Sequence, residues 1–98
     1  MRKHVSIHEL AELELNEAAD FYDSKLPGLG TSFVLAIQQS VLQITRYPES
    51  TKVVRANVRR KVLRQFPYNI IYSLTPDTIR ILAVASQRRR PFYWRGRV

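Results

Sequence analysis

Arginine and aromatic side chains crowd the closing stretch Gln87-Arg88-Arg89-Arg90-Pro91-Phe92-Tyr93-Trp94-Arg95-Gly96-Arg97, which holds five arginines and three consecutive aromatics. Guanidinium forks bind phosphate or carboxylate, and aromatic rings give bases a surface to stack on. An anionic or aromatic partner is the expected counterpart. Large aromatics in a small domain commonly fold back onto the core, so Tyr93 and Trp94 also read as staples that hold the tail while Arg88, Arg89 and Arg90 face outward.

A second cationic group is Arg60, Lys61, Arg64 and Arg80, on stretches that read as neighbouring strands. If they converged, they would suit metal-independent RNA cleavage, in which cations hold the scissile phosphate and stabilise the charge that develops on it. Such a site also needs an acid and a base, and Tyr93 or a lysine of lowered pKa such as Lys61 are the available donors. The basic half has no histidine and only Asp77 among acids. That shortage favours a solvated or partner-covered cationic face over a nuclease site. His4 and His8 straddle a strand-helix boundary with no third ligand, and cysteine is absent, so no metal site or thiol chemistry is expected. Pro27-Gly28-Leu29-Gly30 lacks the glycines and lysine of a phosphate loop and reads as a turn. No cofactor is expected.

The 98 residues are read as one domain, 1–98, with 45% apolar content that excludes disorder and no apolar run long enough to span a membrane. The net charge of +8 is unevenly spread. Residues 1–50 hold four Lys/Arg against seven Asp/Glu, whereas residues 51–98 hold twelve against Asp77 alone. The second half therefore builds a basic surface suited to nucleic acid, an acidic protein or an anionic membrane. Arg2 and Lys3 are followed by Glu9, Glu12 and Glu14, where a signal peptide needs an apolar core. The expectation is a cytoplasmic, unprocessed chain with no membrane partner.

The elements that must position these groups follow from periodicity. Ser6-Ile7-His8-Glu9 has capping-box spacing, which predicts a short strand near Val5 and a helix from about Ile7. Ala11, Leu15, Ala18, Ala19, Tyr22 and Leu26 form its buried stripe, with Glu9, Glu12, Asn16, Asp20 and Asp23 opposite. Leu10 and Phe21 flank that stripe, and Leu13 sits among acids, a pattern that invites a covering partner. After the Pro27–Gly30 turn, Thr31 or Ser32 is expected to cap a second helix whose inner face is Phe33, Val34, Ala36, Ile37, Val41, Ile44 and Tyr47. Leu35 and Leu42 lie on its other side, which predicts that this helix is wedged between the sheet and the first helix. Pro48 ends it. The period then becomes 2, giving strands over 58–66, 68–74 and 79–85, with Thr75-Pro76-Asp77-Thr78 as a turn. The order β-α-α-β-β-β predicts an α+β fold, a helical hairpin packed on one face of a mainly antiparallel sheet.

Several of these stretches together resemble the RelE/ParE superfamily of bacterial toxins, and more closely its ParE-type, plasmid-stabilisation branch. They are the Glu/Ala-rich first helix ending in Phe21-Tyr22, Pro27-Gly28-Leu29-Gly30-Thr31-Ser32-Phe33, Tyr47-Pro48, Arg60 with Phe66-Pro67-Tyr68-Asn69-Ile70-Ile71-Tyr72, Ile81-Leu82-Ala83-Val84-Ala85, Arg88-Arg89-Arg90-Pro91 and Tyr93-Trp94. The resemblance covers nearly the whole chain in order. It implies the toxin of a type II toxin-antitoxin pair, neutralised by a small antitoxin that wraps it with an acidic and apolar segment. ParE-like members lack an obvious nuclease site and are associated with poisoning DNA gyrase. RelE-like members cleave mRNA on the ribosome with basic residues and a late tyrosine. Many members carry His where this chain has Ser86, which removes one acid-base group from the nuclease alternative. On the ParE-like reading Arg88, Arg89, Arg90, Tyr93 and Trp94 contact gyrase or its DNA, supported by Arg60, Arg64 and Arg80. On the RelE-like reading Lys61, Arg64, Arg80 and Tyr93 carry the reaction, with ribosome and mRNA as partners. A non-toxic basic binding module is the third class.

Overall fold

A computed structural model describes residues 3–98, so Met1 and Arg2, the first of the basic N-terminal pair, lie outside the described residues. Strand β1 (His4–Ile7) leads into helices α1 (Glu9–Lys25) and α2 (Leu29–Arg46). Four strands follow, β2 (Lys52–Arg55), β3 (Val58–Val62), β4 (Tyr68–Leu74) and β5 (Thr78–Ser86), and a 3-10 turn, Arg95–Arg97, closes the chain. The sheet order is β1-β5-β4-β3-β2, with β1 parallel to β5 and every other pair antiparallel. The α+β class and the helical hairpin agree with the sequence, and one strand is added.

That strand, β2, pairs with β3 through a hairpin in which Ala56 takes a left-handed φ of 50°. Its four residues carry cations at both ends, and no glycine marks the turn, so the usual hairpin signals are missing. Strand β3 stops at Val62 rather than Phe66. The chain turns there because the Leu63 N–H donates to the Tyr68 carbonyl at 3.0 Å, and Leu63 and Phe66 are both buried.

The helix starts also differ from the expected caps. The His8 N–H still donates to the Ile81 carbonyl at 2.8 Å as the β1–β5 pairing runs out, so α1 cannot begin before Glu9. The His8 Nδ1 then accepts the Leu10 N–H at 3.0 Å and serves as cap, while Ser6 stays within β1. At α2 the cap is Gly28 at φ 90°, not Thr31 or Ser32, and the Asp23 carboxylate accepts the Gly30 N–H at 2.7 Å. A Cβ on Gly30 would lie 2.4 Å from the Ala19 carbonyl oxygen and 2.7 Å from Asp23 Cγ. Only glycine lets the two helices cross this closely.

The core between hairpin and sheet is aromatic at one end. Phe33 packs edge-on to Phe66 at 5.1 Å and to Tyr68 at 5.0 Å, with Tyr22 at 5.3 Å from Phe33. Tyr72 is fully buried, and its hydroxyl donates to the Pro48 carbonyl at 2.8 Å and bonds the Thr51 hydroxyl, fixing the helix-to-sheet connection. Helix α2 meets both α1 and the sheet through its inner face, but the side expected to be covered is not: Leu35 and Leu42 are 52% and 57% exposed and face outward. Leu10, Leu13 and Phe21 are exposed on α1, as are the predicted inner residues Leu26 and Tyr47.

Candidate functional site

Helices cover one face of the sheet, and the chain's own tail covers much of the other. Strand β5 enters a bulge at Leu82, because Ile71 pairs with Ala83 while Tyr72 pairs with Ile81. Leu82 and Ala83 consequently both join Val58, Ile71 and Ala85 in a second apolar cluster. Phe92 adopts φ 60°, which reverses the tail, and Trp94 lands on that cluster with 4% of its surface left exposed. Of the two roles considered for Trp94, the structure gives it the staple. Phe92 stays accessible, its ring 5.8 Å from that of Trp94.

Polar contacts hold the tail from the side. Strand β1 ends opposite Ile81, leaving the outer edge of β5 unpaired beyond it. The Glu14 carboxylate of α1 fills that gap: Oε1 accepts the Val84 N–H at 3.1 Å and Arg97 Nη1 at 2.8 Å. Its Oε2 accepts the Tyr93 hydroxyl at 2.8 Å and Arg97 Nη2 at 3.1 Å, and Arg97 also donates to the Leu82 carbonyl at 3.1 Å. Both carboxylate oxygens are thus fully engaged. Two guanidinium groups meet the Tyr93 ring, Arg89 at 4.0 Å and Arg97 at 5.1 Å from its centroid.

Burial first, then the hydrogen bond to Glu14, pushes the Tyr93 phenol well above the usual tyrosine range. A phenol raised above its unfolded value of about 10 stabilises the fold fully below that pH and loses the contribution as pH rises through the folded value. Urea midpoints measured from about pH 8 to about pH 11 should therefore fall at the alkaline end more in the wild type than in Tyr93→Phe. Parallel profiles would mean that the phenol is not held by Glu14 in solution.

Between tail and sheet lies a cavity of about 260 Å³ whose charged lining is Arg60 from β3 with Arg89 and Arg90 from the tail. Asn69 and Gln87 add amides, Gln87 donating to Asn69 at 3.3 Å, and Ser86 adds a hydroxyl. No carboxylate is in the lining. The Arg60 Nε is buried and meets no acceptor.

The remaining predicted residues are dispersed. Lys61 and Arg64 line a separate groove of about 350 Å³ with Gln39, Ser40 and Gln43 of α2, because alternation turns Lys61 away from the face that Arg60 occupies. Arg80 donates to the Ser6 hydroxyl at 3.3 Å and is not part of the Arg60 cavity. The convergence of Arg60, Lys61, Arg64 and Arg80 therefore does not occur. Arg88 is exposed in the turn after β5, its N–H on the Ser86 hydroxyl at 3.3 Å. Sequence reasoning missed Glu14 and Asn69, and placed Gln87 and Arg97 in the basic stretch without the roles they have here. For Glu14 a signal existed: it lies one helical turn from both Ala11 and Ala18 of the buried stripe, where a carboxylate needs a partner.

Among the described residues no cluster of three or more His, Asp or Glu is placed to hold a metal ion, and no helix is long and apolar enough to cross a membrane. Comparison with protein families matches residues 5–91 to the ParE toxin of the type II toxin-antitoxin system, parDE. The chain belongs to the ParE toxin family. A solved structure, the chromosomal ParDE TA system from P. aeruginosa, has the same fold with a TM-score of 0.65 at 16% sequence identity, covering 87% of this chain and 96% of that one. No curated protein matches the sequence significantly. The span matched to the family ends at Pro91, so the toxin's Tyr93, Trp94 and Arg97 anchors lie just beyond it.

Proposed function

We propose that this ParE-family toxin arrests growth by binding DNA gyrase or its DNA in the cytoplasm, through the exposed arginines of the tail and the cationic open-face cavity. The observation that carries this reading is the commitment of the Tyr93 hydroxyl to Glu14 at 2.8 Å. The one phenol beside the cavity is a structural donor held in its neutral form, which leaves the arginines as a binding surface. Ser86 occupies the position where the resemblance sets a histidine, and it lines the same cavity. These features favour stoichiometric binding over RNA cleavage.

The partner that restrains the toxin would be a small antitoxin. Exposed Leu10, Leu13 and Phe21 on α1 and Leu35 and Leu42 on α2 give it apolar anchors, and the arginine run gives it charge to neutralise. Purified toxin is expected to inhibit gyrase supercoiling and to leave translated mRNA uncut in primer extension. Normal supercoiling together with cuts inside codons would replace this reading with the ribosome-dependent nuclease. Harmless expression without any antitoxin would leave only a basic binding module.

A further inference from the structure

We propose that the open-face cavity is a phosphate site, in which Arg60, Arg89 and Arg90 hold one phosphate group of a nucleotide or nucleic-acid strand while Phe92 borders the attached base. The assignment rests on the open face being the surface that meets the toxin's target.

Arg60 is the starting point. The other half-buried arginines have acceptors: Arg59 donates to the Glu49 and Thr51 carbonyls, Arg80 to Ser6, and Arg97 to Glu14. Arg60 has a buried Nε with none, and no carboxylate of the chain lines its cavity. That Nε is closed to solvent as well, so an acceptor from outside meets Arg60 through the part of its side chain that lines the cavity. Arg89 reaches the same cavity from the tail, steadied 4.0 Å over the Tyr93 ring, and Arg90 follows it.

Geometry selects the anion. Arginines line the cavity from the sheet, Arg60, and from the tail, Arg89 and Arg90. A planar carboxylate presents its lone pairs in one plane, whereas tetrahedral phosphate offers acceptors to both sides at once. A cavity of about 260 Å³ also exceeds a bare phosphate, leaving room for an attached group against the half-open Phe92 ring. The Asn69–Gln87 amide pair supplies polar edges beside it.

The sole tryptophan, Trp94, lines the cavity and reports on its contents by fluorescence. The full chain is titrated with inorganic phosphate, a deoxynucleoside 5′-monophosphate, a short single-stranded oligodeoxynucleotide and an oligoglutamate peptide. Saturable changes are expected with the phosphate-bearing probes. Arg60→Gln and Arg60→Lys should each weaken them by about tenfold or more, since lysine keeps the charge but not the fork. Arg64→Gln removes an equal charge outside the cavity and should stay within about twofold of wild type. Tighter binding of the mononucleotide than of the oligonucleotide assigns the site to free nucleotides, and the reverse assigns it to a strand. Thermal melts confirm that each variant is folded, and Arg60→Lys serves if Arg60→Gln is not. Saturation by oligoglutamate alone, equal losses in the Arg60 and Arg64 variants, or no saturable signal would overturn the proposal. Gyrase inhibition without phosphate binding would sink this assignment alone, and phosphate binding without gyrase inhibition would sink the gyrase reading alone.

Discussion

Trp94→Ala should lower the unfolding free energy by about 3–5 kcal/mol, the range for truncating a buried large aromatic. Its ring is 4% exposed and covers Val58, Ile71, Leu82, Ala83 and Ala85, so the truncated side chain would leave a hole over the centre of the sheet. Domains of this size are stable by only about 5–15 kcal/mol. At the lower end of that range such a loss brings the chain near its unfolding midpoint, and toxicity should fall through instability rather than through a lost contact. Trp94→Phe should recover part of the loss. Urea denaturation of both variants is the measurement, and a wild-type midpoint for Trp94→Ala would show that the tail is undocked in solution.

Glu14→Ala should lower the unfolding free energy by about 2–4 kcal/mol, because a partly buried ion pair is broken and its partners are left without an acceptor. Four donors share the carboxylate: the Val84 N–H, the Tyr93 hydroxyl and two nitrogens of Arg97. A double-mutant cycle with Arg97→Ala isolates the ion pair, whose side chains are 12% and 17% exposed. The coupling should be clearly positive, and additivity of the two losses would mean that Glu14 acts on the fold without Arg97. Because the same carboxylate holds Tyr93, and Tyr93 steadies Arg89, the variant should also loosen the cationic cavity.

How far the sequence revealed this molecule depends on the kind of signal each part carries. The helices and the long strands announce themselves through period and through Pro and Gly, and the staple role of Trp94 follows from the habit of large aromatics in small domains. Strand β2 was not legible, since four residues with charged ends and a left-handed alanine break no pattern and make none. Alternation alone separates Arg60 from Lys61, but nothing in the chain says which face the helices will cover. The docking of Trp94 follows a reversal at Phe92, a residue whose type gives no warning of a positive φ. The caps failed for a similar reason: Ser6 and Thr31 have the right chemistry, but β1 pairing and the close crossing at Gly30 moved the helix starts elsewhere.

The way Glu14 and Arg97 occupy the backbone groups of Val84 and Leu82 also bears on how the sheet meets other chains. A β-sheet flank with free N–H and C=O groups is a template for any extended peptide, and most proteins must blunt it. Here two side chains stand in for the missing neighbour over the stretch where β1 falls short of β5. An incoming strand is turned away at that point and is left with two landing places, the outer side of β1 and the outer side of β2. Beside β2 it would run past Lys52 and Arg55, so that flank selects for acidic sequence.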